Sequence, residues 1–114
     1  MLIIKQKEQN YLVMENRIKV LNLLGLARRA SKLVTGQELV LSRIRSNKVN
    51  IVFVASDSGK NSLKQFTDKC KSYNVFLCKS FTKEELSSAI GQKRSVIAVN
   101  DIGFANRMKE LLSD

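Results

Sequence analysis

Residues 50–55 have the sequence Asn-Ile-Val-Phe-Val-Ala, and this stretch decides the fold class. Its centre, Ile51–Val54, is a continuous apolar run rich in β-branched side chains, which is typical of a strand buried on both faces of a sheet. The loop Ser56–Gly59 follows and supplies a predicted N-cap for the next helix. We therefore expect helices on both sides of this strand.

Helical periodicity flanks the central strand. A first helix is predicted over 15–30, with an apolar face of Ile18, Val20, Leu21, Leu24, Ala27 and Ala30. Thr82 and Glu85 fit a capping box that opens another helix, and Gly91 stops it. Another helix is predicted over 37–47, and a further one begins after a cap at Asp101. A helix is also predicted after Gly59, with an apolar face of Leu63, Phe66, Cys70 and Tyr73.

Short strands are predicted between the helices, at 32–34, 75–78 and 95–99. This alternation predicts an α/β protein, a three-layer α/β/α sandwich with a mostly parallel or mixed sheet. One domain is expected over 14–114. Residues 1–13 show no clear period, so either they form a flexible N-terminal arm or the native protein starts at Met14.

The charge balance points to a polyanionic partner. Twenty Lys and Arg face ten Asp and Glu, for a net charge of +10 on 114 residues. Such a charge on a small body attracts polyanions, and nucleic acid is favoured over a membrane because aromatic residues make up only 6%. The longest apolar runs are too short to cross a bilayer, so we expect a cytoplasmic protein without a membrane partner.

Residue types that carry catalysis are scarce. The chain has no histidine, and its carboxylates do not cluster into an acid–base pair. Cys70 and Cys78 lie in apolar patterns and do not have the spacing of a zinc site, so they are predicted to be buried core residues. We expect no metal, no cofactor and no enzyme activity.

Three polar, Gly-containing segments are candidate ligand loops: the first loop (32–38), the second loop (56–61) and the third loop (91–95). In the first, Gly36 opens a helix, where free backbone N–H groups attract phosphate; the alternative is an ordinary turn glycine. In the second, Lys60 is a candidate phosphate contact. A nucleotide-binding P-loop is not expected, because Val54 and Asn61 stand where that motif needs a glycine and a Ser or Thr.

Two basic pairs allow two interpretations each. Lys93 and Arg94 in the third loop are either a solvated charge pair or contacts to a nucleic-acid backbone. Arg28 and Arg29 either complement the dipole at the end of the first helix or contact phosphates.

Several segments resemble the ribosomal L7Ae superfamily, and in particular its bacterial YlxQ-type branch. The resemblance extends over roughly residues 15–112 and rests on 24–31 (Leu-Gly-Leu-Ala-Arg-Arg-Ala-Ser), 32–36 (Lys-Leu-Val-Thr-Gly), 67–70 (Thr-Asp-Lys-Cys), Gly91, Asp101 and 103–106 (Gly-Phe-Ala-Asn). The resemblance implies an α/β/α sandwich with a mixed four-stranded sheet, and RNA binding through the three loops defined above.

Kink-turn binders of the superfamily carry Gly-x-Asn-Glu followed by a basic residue and have an apolar third loop. Here Gln37, Glu38 and Ser42 follow Gly36, and the third loop is charged, so more backbone contact and less base reading are expected.

The sequence thus predicts an RNA-binding accessory protein of translation or ribosome metabolism, with structured or ribosomal RNA as its partner. The alternative is a protein–protein interaction module of the same fold. Base-edge and backbone contacts are assigned to Gly36, Gln37 and Glu38. Phosphate contacts are assigned to Arg28, Arg29, Lys32, Lys60, Lys93 and Arg94.

Overall fold

Helices and strands alternate along the chain in the computed structural model, which describes the backbone of residues 2–113 and the side chains of residues 11–113. The helices are α1 (Leu2–Arg29), α2 (Gln37–Arg45), α3 (Lys60–Ser72), α4 (Lys83–Ile90) and α5 (Ile102–Ser113). The strands are β1 (Leu33–Thr35), β2 (Ile51–Val54), β3 (Phe76–Cys78) and β4 (Val96–Val99). Apart from the start of α1, the predicted element order is confirmed.

The four strands form one mixed sheet in the order β1-β4-β2-β3. β4 runs antiparallel to both β1 and β2, while β2 and β3 are parallel. Every residue of β2 and β4 is buried, as the continuous apolar run predicted for β2. The predicted mixed four-stranded sheet is confirmed.

Alternate side chains of each strand enter different cores, because successive residues of a strand point to opposite faces. Ile51 and Phe53 pack with buried residues of α1, α4 and α5. Val52 and Val54 pack with buried residues of α2 and α3. The protein is therefore the predicted three-layer α/β/α sandwich.

The strand register defines two ends of the sandwich. Val54 pairs with Val96 and Thr35 with Ile97, so β1 and β2 end where β4 begins, and β3 ends there too. We call this end, with residues 35–38, 55–60, 79–83 and 91–95, the loop edge. At the other end, Leu33 and Ile51 both pair with Val99. We call this end, with residues 30–32, 45–50, 71–75 and 100–101, the far edge.

The first helix is longer than predicted, because it begins at Leu2 and not near Glu15. Residues 2–14 contain no glycine or proline that would stop a helix, but their apolar residues show no helical period. Tyr11, Leu12 and Met14 are exposed, as is Ile18, which was wrongly predicted to be buried together with Ala30. Whether residues 1–13 form a flexible arm or precede the native start stays a prediction.

Helix caps follow the predictions at two helices and depart from them at a third. Thr82 and Glu85 form the capping box of α4, and the backbone N–H of Phe104 donates to Asp101 Oδ2 over 2.9 Å at the start of α5. The N-cap of α3 is Gly59 and makes no side-chain cap. Asp57 instead accepts from the Lys83 N–H over 3.0 Å, because the parallel pairing of β2 and β3 brings the start of α4 beside the second loop.

Both cysteines are buried free thiols, as predicted. Desolvation raises the pKa of Cys70 to about 11, so this thiol is neutral at physiological pH. Burial also raises the pKa of Cys78. Two neutral thiols in separate layers of the core are structural residues.

Candidate nucleic-acid interface

Backbone hydrogen bonds join the three candidate loops at the loop edge. The N–H of Gly36, in the first loop, donates to Val96 O over 3.0 Å. The N–H of Ala55, which opens the second loop, donates to Ser95 O of the third loop over 2.8 Å. These bonds continue the ladders of β4 with its two neighbours, so the rigid sheet fixes how the loops lie relative to one another.

Arg94 links the third loop to the first. Its Nε donates to Thr35 Oγ1 over 3.1 Å, its Nη1 to Lys93 O over 2.7 Å, and its backbone N–H to Ser87 Oγ over 3.1 Å. Its Nη2 makes no hydrogen bond within the described residues. The neighbouring Lys93 is exposed, and its ammonium group has no partner in the described part of the chain. Arg94 therefore holds the third loop against the first and also places a positive charge at the surface. Lys93 contributes only its positive charge.

Gly36 has a backbone conformation that side chains disfavour. Its φ of 96° and ψ of 147° belong to a region that is nearly restricted to glycine. It forms the N-cap of α2 without a side-chain cap, so the first N–H groups of α2 stay open. An anion would be attracted there by these N–H groups and by the helix dipole.

Gln37 and Glu38 follow Gly36 in the first turn of α2. The Gln37 amide bridges to α3, since its Nε2 donates to Gln65 Oε1 over 3.1 Å and its Oε1 accepts from Ser62 Oγ over 3.3 Å. Glu38 is exposed. Gln37 is thus held in place by two hydrogen bonds, and only part of its hydrogen-bonding capacity is left for a ligand.

Three predicted phosphate contacts, Arg28, Arg29 and Lys32, lie outside the loop edge. Arg28 donates to Ile90 O at the end of α4 and lies beside Gly91, so it reaches the start of the third loop from α1. Arg29 borders a depression between α1 and α4, together with Glu84 and Glu85. Lys32 lies at the far edge, where its carbonyl accepts from the Asn100 N–H. The structure brings the other six together: Gly36, Gln37, Glu38, Lys60, Lys93 and Arg94.

Two further lysines belong to the loop edge and were missed by sequence reasoning. Lys79 follows β3, and its Nζ donates to Thr67 Oγ1 over 3.2 Å. Lys83 begins α4 beside Asp57. The parallel pairing of β3 with β2 brings both to this edge, and no local pattern gives that pairing. The exposed carboxylates of Glu38, Asp57 and Glu84 accompany these cations, so the loop edge is basic but mixed.

Glu85 is the one described carboxylate of this edge in an ion pair. Its Oε2 lies 3.1 Å from Arg17 Nη2. The backbone N–H of Thr82 lowers the pKa of Glu85 most, and Arg17 lowers it further. Since the pKa is lower in the folded state, the ionised carboxylate stabilises the fold above its ordinary pKa of 4.5, and this stability is lost as the pH falls through the folded value.

We therefore expect Glu85→Gln to be less stable than the wild type at pH 7. The difference should be small, about 0.5–1 kcal/mol, because the Glu85 side chain is 38% exposed and water screens the pair. Denaturant unfolding at pH 7 and pH 3 would measure it, and the gap between the two proteins should narrow at pH 3. An unchanged gap would show that the ionisation of Glu85 does not stabilise the fold.

Comparison with known proteins assigns the chain to a family. Residues 18–109 match the model of the Ribosomal protein L7Ae/L30e/S12e/Gadd45 family. The chain belongs to this family, which confirms the resemblance drawn from its sequence.

Two relatives share nearly half of their residues with this chain. RNA-binding protein YlxQ of Enterococcus faecium is 45% identical over 97 residues, which cover 85% of this chain and 94% of the relative. RNA-binding protein YlxQ of Bacillus subtilis (strain 168) is 43% identical over 91 residues, which cover 79% of this chain and 91% of the relative.

Solved structures show the same fold. A Bacillus halodurans C protein of unknown function superposes with a TM-score of 0.81 at 38% identity, over 84% of this chain and 98% of that one. The Giardia lamblia 15.5kD RNA binding protein superposes with a TM-score of 0.76 at 17% identity, over 87% and 86% of the two chains. The second likeness concerns the fold alone.

Two features are absent from the described residues. No helix there has a stretch long and apolar enough to span a membrane. No three His, Cys, Asp or Glu side chains in that part of the chain are grouped so that they could hold a metal ion.

Proposed function

We propose that this protein is a non-enzymatic RNA-binding accessory protein of translation or ribosome metabolism, which contacts structured RNA through its loop edge. The observation that supports this most is that the backbone bonds Gly36–Val96 and Ala55–Ser95 hold the three polar loops at one edge. Two of these loops carry the exposed cations of Lys60 and Lys93. Relatives named for RNA binding support the choice of RNA as the partner. The proposal keeps the cytoplasmic location predicted from the sequence.

Phosphate contacts dominate the proposed interface. Lys60 and Lys93 are exposed and make no ion pair within the described residues, so they can bind phosphate without breaking an internal contact. Arg94 can offer its Nη2 while its Nε holds Thr35. The amide of Gln37 is already engaged by Ser62 and Gln65. Binding should therefore depend on RNA shape and backbone more than on base sequence.

The double variant Lys60→Ala, Lys93→Ala is expected to weaken RNA binding and to reduce its salt dependence. Each lost phosphate contact should lower the slope of log K against log salt by about 1, so the double variant should lose about 2. Fluorescence titrations of a labelled RNA hairpin at several salt concentrations would measure this. Arg94 is left intact because its loss would also disturb the third loop.

The control is Lys19→Ala, Lys109→Ala, which removes the same formal charge from the helical layer of α1 and α5, where Lys19 is paired with the exposed Glu15 at 3.4 Å. It should keep a slope near that of the wild type. If both double variants lowered the slope equally, net charge and not the loop edge would determine binding.

A protein–protein interaction module is the second candidate function. The observation in its favour is the exposed apolar surface of α1, where Tyr11 is 71% and Met14 60% exposed and Leu12 lies between them. Crosslinking in cells followed by sequencing would distinguish the two functions, since an interaction module would recover a protein partner and little RNA.

A further inference from the structure

The far edge carries a surplus of positive charge, as the loop edge does. Its cations are Lys32, Arg45, Lys48 and Lys71, and Arg43 and Lys69 lie next to it in the last turns of α2 and α3. None of them belongs to the ion pairs of the described residues. Asp101 is the carboxylate that the strand register brings to this edge, and it caps α5. Asp68, further back on α3, is paired with Lys64 at 2.8 Å, and Lys71 is also near enough to lower the pKa of Asp68.

Helix dipoles explain only part of this arrangement. Cations in the last turns of α2 and α3 are favoured by the partial negative charge of the helix ends. Lys32 and Lys48 follow α1 and α2 closely, and their backbone N–H groups donate to the carbonyls of Ala27 and Arg43 over 2.8 and 2.9 Å, so the same attraction reaches them. This attraction does not remove the repulsion among the cations, which Asp101 offsets only in part, and a polyanion would relieve it.

An exposed aromatic side chain also lies at the far edge. Tyr73 is the C-cap of α3 and is 36% exposed, although the sequence pattern predicted it on the buried face. Its ring makes no aromatic or cation–π pair with the described residues, in which such pairs involve Phe53, Phe81 and Arg17. Its neighbours Lys69 and Lys71 are basic. An accessible ring on an edge that also carries cations is a combination that single-stranded RNA uses, because bases stack on the ring while the cations hold the phosphates.

The two edges are separate electrostatic surfaces. α3 connects them, and its 13 residues span about 20 Å at 1.5 Å per residue. The Debye length at physiological salt is about 8 Å, so charges at one edge have little influence on a ligand at the other. A ribose-phosphate backbone bound at the far edge would therefore bind independently of a ligand at the loop edge.

We propose that the far edge is a second RNA-binding surface that takes a single-stranded segment. Tyr73 stacks on a base, while Lys48, Lys69 and Lys71 contact phosphates. The inference rests on the proposed function in taking RNA as the polyanion. With structured RNA at the loop edge, the protein would bridge two parts of an RNA across its sheet.

The test uses a labelled decamer of uridine as the single-stranded probe and an RNA hairpin without overhangs as the structured probe. Lys48→Ala, Lys71→Ala should lower the salt slope for the decamer by about 1.4, because each contact to a single strand contributes about 0.7. The same variant should leave the hairpin slope unchanged. Tyr73→Leu should weaken decamer binding about fivefold or more, and Tyr73→Phe should retain it, since only the ring is needed for stacking.

Photocrosslinking with a decamer that contains 4-thiouridine gives an independent readout, expected on peptides that include Tyr73. Thermal unfolding of each variant shows whether it is folded. The inference is overturned if the far-edge variants bind the decamer like Lys19→Ala, Lys109→Ala, or if crosslinks map only to the loop edge. A failure of the proposed function would give a different result. Hairpin binding would then be unaffected by Lys60→Ala, Lys93→Ala, while decamer binding would still depend on Tyr73.

Discussion

Replacing Phe81 with alanine is expected to lower the free energy of unfolding by about 3–5 kcal/mol, the usual cost of removing a buried aromatic ring. Phe81 is 1% exposed, its ring centroid lies 6.1 Å from that of Phe53, and Arg17 Cζ lies 4.4 Å from its centroid. Its carbonyl accepts the Ser56 N–H over 2.8 Å. The variant would therefore leave a cavity under the loop edge and remove the ring beneath Arg17.

Denaturant unfolding monitored by circular dichroism would measure this loss. Phe81→Leu is the matched control, because leucine retains most of the apolar volume and lacks only the ring face. It should lose clearly less stability than Phe81→Ala. A loss below about 1 kcal/mol for Phe81→Ala would mean that the side chain is not packed as described, since buried Phe→Ala changes cost at least about 3 kcal/mol.

Gly36→Ala is expected to cost about 1–3 kcal/mol of stability and to weaken hairpin binding. The cause is conformational alone, because a Cβ at Gly36 would meet no atom within 4 Å, while the φ of 96° disfavours any side chain. The first loop would either store this strain or change its backbone and give up the Gly36–Val96 hydrogen bond. Either change alters the start of α2, where the proposal has RNA bind.

Gly59→Ala is the control for this variant. Gly59 also has open space around its Cβ position and also precedes a helix, but its φ of −62° suits any residue. This variant should lose about 0.5–1 kcal/mol of stability, because glycine is preferred over alanine at an N-cap. Gly36→Ala should lose clearly more, because it loses the same preference and is also strained. Equal effects of the two substitutions would show that the φ of Gly36 carries no special cost. Unfolding curves and hairpin titrations of both variants provide the comparison.

Local patterns predicted most of the elements because their signals lie within a few residues. Ile51–Val54 is a buried strand, and the Thr82–Glu85 capping box and the Asp101 cap open their helices as predicted. The prediction was wrong at the start of α1. Helical periodicity marks only the part of a helix that packs against a core, and the exposed residues 11–14 have no such face.

The candidate site was predicted in part, for a similar reason. Gly36, Lys60, Lys93 and Arg94 lie in loops whose composition identifies them, and the structure brings them to one edge. Lys32 is close to Gly36 in sequence but lies at the other end of β1. Lys79 reaches the loop edge only because β3 pairs in parallel with β2, and such a pairing between distant segments has no local signal.

By itself, the sequence determined the element types, the two-sided burial of β2 and the surplus of positive charge, since each depends on residue type and spacing along the chain. Only the tertiary structure decided the strand order β1-β4-β2-β3, and with it the division of the cations between two edges. The physical reason is that strand order depends on contacts between residues far apart in the chain. The residue type alone determines the charge of a side chain, but the assembly of the sheet determines which other charges lie near it.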